Sequence, residues 1–130
     1  MTARSHPKEG GFASTEIVLL TPVLLLLVML VVQFGLWYHA QHVAQAAADE
    51  GLRGARAGLG SIEAGEARAD AFLDQAASSI IEERVVVVTR DADLARVTVT
   101  GHAPAVIPGF SLPVRANATA PVERFREDDR

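Results

Sequence analysis

Ile17-Val18-Leu19-Leu20-Thr21-Pro22-Val23-Leu24-Leu25-Leu26-Leu27-Val28-Met29-Leu30-Val31-Val32-Gln33-Phe34-Gly35-Leu36-Trp37-Tyr38 carries no ionisable side chain until its closing tyrosine. As a helix it extends roughly 33 Å, enough to cross a bilayer core of ~30 Å. The core helix of a soluble protein rarely lacks charge over so many residues, so the stretch reads as one membrane span. Trp37 and Tyr38 stand at its end, where amphipathic rings prefer the headgroup level. Pro22 removes the hydrogen bond to the Val18 carbonyl and favours a kink or a loosened turn, with Thr21 beside it as a side-chain partner. A cleaved secretory signal has some footing in the basic start and in Ala44-Gln45-Ala46. Its apolar region would typically be only about 7–15 residues long, which disfavours that reading.

Working outward, Arg4 and Lys8 lie before the span, and Gly11-Phe12-Ala13-Ser14-Thr15-Glu16 forms the junction. Charge at that depth is costly in lipid, so Glu16 is expected to serve a purpose. Arg53 and Arg56 balance the leader's basic residues, which leaves the positive-inside count near a tie. A long C-terminal part can be translocated regardless of charge, and this favours the short leader inside. The expected plan is a leader over residues 1–11, a transmembrane helix over 12–38, an extracytoplasmic domain over 39–122 and a charged tail over 123–130.

The junction resembles the processing site of type IV pilins and pseudopilins. In that family a membrane prepilin peptidase cuts after the glycine, and the mature chain carries Glu at its fifth position. The resemblance implies cleavage between Gly11 and Phe12, with Glu16 in that fifth place. Glycine permits a close backbone approach that a side chain would block. Glu16 is expected in the first helical turn, where the macrodipole favours negative charge, and in an assembly it would pair with a neighbour's freed amine. A second resemblance is more specific. Glu16-Ile17-Val18-Leu19-Leu20-Thr21-Pro22-Val23, then Gln33-Phe34-Gly35, then Ala44-Gln45-Ala46-Ala47-Ala48-Asp49-Glu50-Gly51 is similar to the TadE-like family, pseudopilins of tight-adherence (Tad/Flp) pilus systems. Ile17, where the family often has an aromatic residue, and the Gly11-Phe12 pair, where many members have a small residue after the glycine, depart from the pattern. The resemblance implies a minor structural or assembly subunit in the bacterial cytoplasmic membrane, with lipid, the peptidase and other pilin or Tad-system subunits as partners. An uncleaved single-span protein whose distal domain binds another envelope protein is the alternative.

His39 to Gly58 is alanine-rich and proline-free, so the helix is expected to continue into water. Ala40, Ala44, Ala47, Gly51, Gly54 and Gly58 are spaced by four and three and form one seam. Small residues allow two backbones to approach, and three glycines, each costing about 1 kcal/mol of helix propensity, call for a compensating contact. Abundant alanine alone can also generate such a seam. His39 and His42 are three apart but have no acid or cysteine at fitting metal-site spacing.

Gly58-Leu59-Gly60-Ser61 breaks the helix, with Ser61 as N-cap of an amphipathic helix predicted over 62–84, its apolar face formed by Ala69, Phe72, Leu73, Ala76 and Ile80. Strands are predicted over 85–89 and 96–100, joined by a 90–95 loop, and a third over 114–120 after a Pro108-Gly109 turn of type II. Asp91 and Asp93 read as turn residues before they read as a cation site. The fold class is therefore α+β: a long N-terminal helix, a second helix and a small antiparallel sheet of about three strands. Asn117-Ala118-Thr119 matches a glycosylation sequon, which is discounted in a bacterial setting.

The chain has 130 residues, net charge -4 and no cysteine. It has no concentrated basic stripe for nucleic acid, no disulfide framework and no thiolate zinc site. No serine elbow, phosphate loop or convincing pair of carboxylates is evident, so no enzyme and no cofactor are expected. The roughly 90 residues beyond the span make a marginal core, which would draw stability from the long helix or from neighbouring subunits in an oligomer.

Overall fold

The chain folds, in order, into α1 (Gly10–Arg56), α2 (Ile62–Ala76), β1 (Glu82–Arg90), β2 (Leu94–His102) and β3 (Pro113–Pro121). The computed structural model describes residues 10–76 and 78–124. The leader residues Arg4 and Lys8 lie outside the described residues. The α+β expectation holds: a long apolar N-terminal helix, a second helix, then a three-stranded antiparallel sheet in the order β1-β2-β3.

At 47 residues, α1 is about 70 Å long. No side chain from Gly11 to Val32 is buried, and the apolar stretch fits a single membrane crossing. The helix passes through Pro22 as one element. Thr21 Oγ1 donates to the Ile17 carbonyl at 2.6 Å, not to that of Val18, whose usual donor Pro22 lacks.

Burial begins at Gln33, so the distal domain reaches back into the predicted span instead of starting at His39. From there α1 lies over β2 and β3, while α2 packs beside it over β1. The sheet turns Ala95, Val97 and Val99 of β2 and Val114, Ala116 and Ala118 of β3 toward the helices. This is the alternation read in the sequence, extended at both strand ends. Leu73, Val97, Val99 and Val114 are the largest fully buried apolar side chains in a core otherwise rich in alanine.

Three boundaries differ from the sequence reading. Helix α2 stops at Ala76, not Arg84, because Ser78 and Ser79 form a turn, where their hydroxyls compete with the helical backbone. Ala76 is consequently exposed, Ile80 belongs to the turn, and β1 begins at Glu82. The hairpin loop shrinks to 91–93 because β1 and β2 pair out to Arg90 and Ala95. Glu123 and Arg124, assigned to the charged tail, are anchored. The Glu123 amide donates to the Arg56 carbonyl at 2.9 Å, and Arg124 pairs with Asp93. The rest of the tail lies outside the described residues.

Two features hold the layers together. The first is the crossing of α1 on α2. A Cβ at Gly51 would lie 3.1 Å from Ala69 Cβ, from the Gly65 carbonyl oxygen and from Val97 Cγ1. At Gly54 it would lie 2.8 Å from the Ala64 carbonyl oxygen. The helices therefore meet almost backbone to backbone, and the helix-propensity cost of Gly51 and Gly54 is offset by that contact. Ser61 caps α2, its Oγ accepting from the Ala64 amide at 3.0 Å. Arg90 ties down the connection by donating to the Gly60 and Ala57 carbonyls.

The second feature is a polar ladder along the edge of β3. Trp37 Nε1 donates to the Pro113 carbonyl at 2.9 Å, Gln41 Nε2 to that of Arg115, and Gln45 Nε2 to that of Asn117 at 3.3 Å. The donors are four residues apart on α1 and the acceptors two apart on β3. Four helical residues rise about 6 Å and two strand residues about 6.6 Å, so the two repeats stay in step. One turn earlier, the fully buried Gln33 extends the series. Its Nε2 donates to the Pro104 carbonyl at 3.0 Å, and its Oε1 accepts from the amides of Val106 at 2.7 Å and Ile107 at 3.4 Å.

Two substitutions test these features. Gly51→Leu gains about 1 kcal/mol of helix propensity but overpacks the crossing at a cost of about 1–3 kcal/mol. The full chain in detergent should show a lower thermal midpoint, and an unchanged or higher one would contradict the close crossing. Gln33→Leu keeps the bulk and leaves the loop groups unpaired, at about 1–3 kcal/mol for a buried polar group. Amide exchange at Val106 should accelerate, whereas wild-type protection in the variant would show that the glutamine does not hold the loop.

Candidate processing and assembly site

The predicted site residues fall into two places that the fold keeps apart. Gly11, Phe12 and Glu16 lie on the bare end of α1, and the small-residue seam begins at Ala40, about 44 Å further along the helix axis.

At the bare end, a Cβ on Gly11 would meet nothing within 4 Å, and Phe12 is 87% exposed. Thr15 Oγ1 donates to the Gly11 carbonyl at 2.9 Å, a contact inside the helix that borders the Gly11–Phe12 bond. Because α1 starts at Gly10, Glu16 lies in its second turn and not in the first. The helix has no acidic residue in its first turn, so the N-terminal dipole acts on Glu16 from further away. Glu16 is exposed, and Phe12 stands one turn before it on the same face. Within this chain the carboxylate makes no ion pair with another described residue.

The seam is occupied from within. Ala40, Ala44, Ala47, Gly51 and Gly54 are all buried, and the atoms nearest to the two glycines belong to α2 and β2 of the same chain. Gly58 is not part of the seam: α1 ends at Arg56, and Gly58 is exposed in the turn that follows. Alanine and glycine at these positions let the sheet and α2 approach the helix, so the seam is used for intramolecular packing.

Other polar groups singled out in the sequence are engaged locally. Asp91 Oδ1 accepts from the amides of Asp93 at 2.9 Å and Leu94 at 2.7 Å, which makes the hairpin turn. The backbone donors of Leu94 and Asp93 hold the Asp91 carboxyl below the usual carboxylate range. The Tyr38 and His42 rings meet edge to face with centroids 4.4 Å apart. Among the described residues no three His, Cys, Asp or Glu side chains gather where they could hold a metal ion. A cleft of about 280 Å³ is lined by Glu50, Arg68, Ala71, Phe72 and Gln75. Its Glu50 carboxylate already pairs with Arg53 and Arg68.

The sequence reading took Trp37 as an interfacial ring and gave Gln33, Gln41 and Gln45 no bonding role, so it missed all four as donors. Their signal was a strict four-residue repeat of side-chain N–H donors running out of the apolar span.

The chain matches no curated protein and no solved structure. Residues 11–53 match the family model described as TadE-like protein, a match that runs from Gly11 through the bare half of α1 to the turn that crosses α2. The similarity to the TadE-like family covers this N-terminal segment of the 130-residue chain.

Proposed function

We propose that the protein is a pseudopilin-like subunit of a Tad/Flp pilus system, a minor structural or assembly component and not an enzyme. The observation that carries this reading is the family match over residues 11–53, which opens on Gly11 and includes Phe12, Glu16 and the whole apolar stretch. On this reading α1 spans the cytoplasmic membrane once, and the domain built on its second half is extracytoplasmic.

A prepilin peptidase would cut between Gly11 and Phe12. The bond lies in the first turns of α1, so cleavage requires that end to unwind. Gly10 and Gly11 favour unwinding, because glycine costs about 1 kcal/mol relative to alanine in a helix. Among the described residues no side chain comes within 4 Å of where a Cβ on Gly11 would stand. After cleavage the new amine of one subunit and the exposed Glu16 of a neighbour form an ion pair. Removed from water, such a pair is favourable only with good geometry and further hydrogen bonds, which makes it sensitive to register between subunits.

The second reading, an uncleaved single-span protein whose domain binds another envelope protein, is favoured by one feature. The helix runs unbroken across the Gly11–Phe12 bond. The mass of the mature N-terminus separates the two readings.

Gly11→Leu should block processing in cells that hold the peptidase, leaving a chain that keeps residues 1–11. A wild-type chain that keeps them as well, read by mass spectrometry, refutes cleavage. Glu16→Ala should give stable, membrane-bound, processed protein that no longer co-purifies with pilus subunits. Undiminished co-purification of that variant would remove Glu16 from assembly.

A further inference from the structure

The connection between β2 and β3 reads Ala103-Pro104-Ala105-Val106-Ile107-Pro108-Gly109-Phe110-Ser111-Leu112 and contains no ionisable residue. A surface loop of a water-exposed domain is ordinarily polar. Here Val106 is 38% and Phe110 39% exposed, and Ile107 and Leu112 are half-buried beside them. The opposite end of the sheet has the reverse character. Its hairpin carries Arg90, Asp91 and Asp93, next to Arg56, Glu123 and Arg124. The domain thus has one apolar tip and one charged tip.

The apolar tip lies beside the apolar helix. Gln33 holds Pro104, Val106 and Ile107, and Trp37 holds Pro113, so the loop sits against the last third of the uncharged run. Gln33 lies about 24 Å along the axis from Ile17, short of the ~30 Å hydrocarbon core. With Glu16 at one edge of the core, the loop meets the other edge at or slightly inside the hydrocarbon. Part of its backbone is satisfied within the protein, which eases the cost of unpaired polar groups at that depth. Gln33 satisfies one carbonyl and two amides. The Phe110 amide bonds the Ile107 carbonyl at 3.0 Å, the Ala103 amide bonds the Leu112 carbonyl at 2.9 Å, and the two prolines have no amide hydrogen. Gly109, at φ 78°, makes the tight turn that presents Phe110. Where the strands emerge from the loop, His102 Nδ1 and Glu83 Oε2 stand 3.6 Å apart, a polar collar suited to the headgroup layer.

From this geometry we propose that the Ala103–Leu112 loop is a second membrane contact. It inserts Val106, Ile107 and Phe110 into the lipid interface on the side where the domain sits and seats the domain on the bilayer. The occupant of this apolar surface is lipid, because the loop is continuous with the lipid-facing surface of α1. The inference rests on the membrane-spanning reading of α1 but not on processing or pilus assembly.

The chain has no cysteine, so single thiols can be placed without background. Phe110→Cys, Val106→Cys, Asp93→Cys and Leu25→Cys, each in the full chain, would carry an environment-sensitive fluorophore. The labelled proteins are reconstituted in phosphatidylcholine–phosphatidylglycerol vesicles with iodide on both faces. At positions 110 and 106 we expect blue-shifted emission, quenching by nitroxide on the upper acyl chain, and iodide quenching several-fold weaker than at 93. Position 25 should respond to a nitroxide deep in the acyl chain. If position 25 responds while 110 and 106 match 93, the loop is in water and the proposal fails alone. Shielding of 110 and 106 from both iodide and lipid nitroxide would mean a second copy covers them, which also overturns it. No lipid quenching at 25 would overturn the span and the loop insertion together.

Discussion

The domain is fastened to the apolar helix by the step between a helix and a strand edge. An edge strand exposes a row of backbone groups that must be covered or otherwise protected. In this chain the donors come from one stripe of α1: the indole of Trp37 and the amides of Gln41 and Gln45 reach three successive outer carbonyls of β3. Arg115 returns a bond through its own amide, 3.3 Å from Gln41 Oε1. The stripe works because β3 runs in the same direction as α1, so that one helical turn spans nearly the same distance as two strand residues. Reversing the strand or slipping it by one residue would place the inward-facing groups of β3 opposite the donors.

Small residues follow from the same constraint. For short glutamine side chains to reach the strand edge, the helix axis must lie close to the sheet. Ala40, Ala44, Ala47 and Ala48 on α1, and Ala116 and Ala118 on β3, keep it there. A larger core would lift the helix and break the ladder. The cost is a thin hydrophobic layer in which only Leu73 and three valines are large and fully buried. Directional bonds at the strand edge and near-backbone contact at Gly51, Gly54 and Gly65 supply what a domain of this size lacks in apolar volume.

Much of this was legible in the sequence because it depends on local chemistry. The uncharged run, the Gly58–Ser61 break with its serine cap, the valine–threonine alternation of β2 and the Pro108-Gly109 turn each follow from a few neighbouring residues. The seam was legible as a pattern but not as to its partner. Ala and Gly at helical spacing announce a close contact, and only the tertiary arrangement shows that α2 and β2 of the same chain make it. The end of α2 was misread because Ile80 and Ile81 continue the apolar period while Ser78 and Ser79 end the helix. The glutamine ladder was missed for a different reason. Its acceptors are carbonyls more than seventy residues away, and a backbone carbonyl leaves no signature in an amino-acid sequence.

The same ladder bears on how the two ends of α1 communicate. From Gln33 to Arg56 the helix is built into the domain and cannot bend independently of it. From Gly11 to Val28 every residue is exposed, and among the described residues the helix there is stiffened by its own hydrogen bonds. Those bonds are interrupted at Pro22, the one proline inside α1. Bending between the Glu16 turn and the domain is therefore concentrated within a turn or so of Pro22, where kinks characteristically arise. Glu16 and Gln33 are 17 residues apart, which at 3.6 residues per turn sets them about 100° apart around the axis. A neighbour that engages Glu16 thus sees the domain at a defined azimuth, with Pro22 as the adjustable joint. The position of Pro22 then has a physical reason. It lies beyond the carboxylate and before the first buried side chain, where compliance disturbs neither the contact proposed for Glu16 at one end nor the ladder at the other.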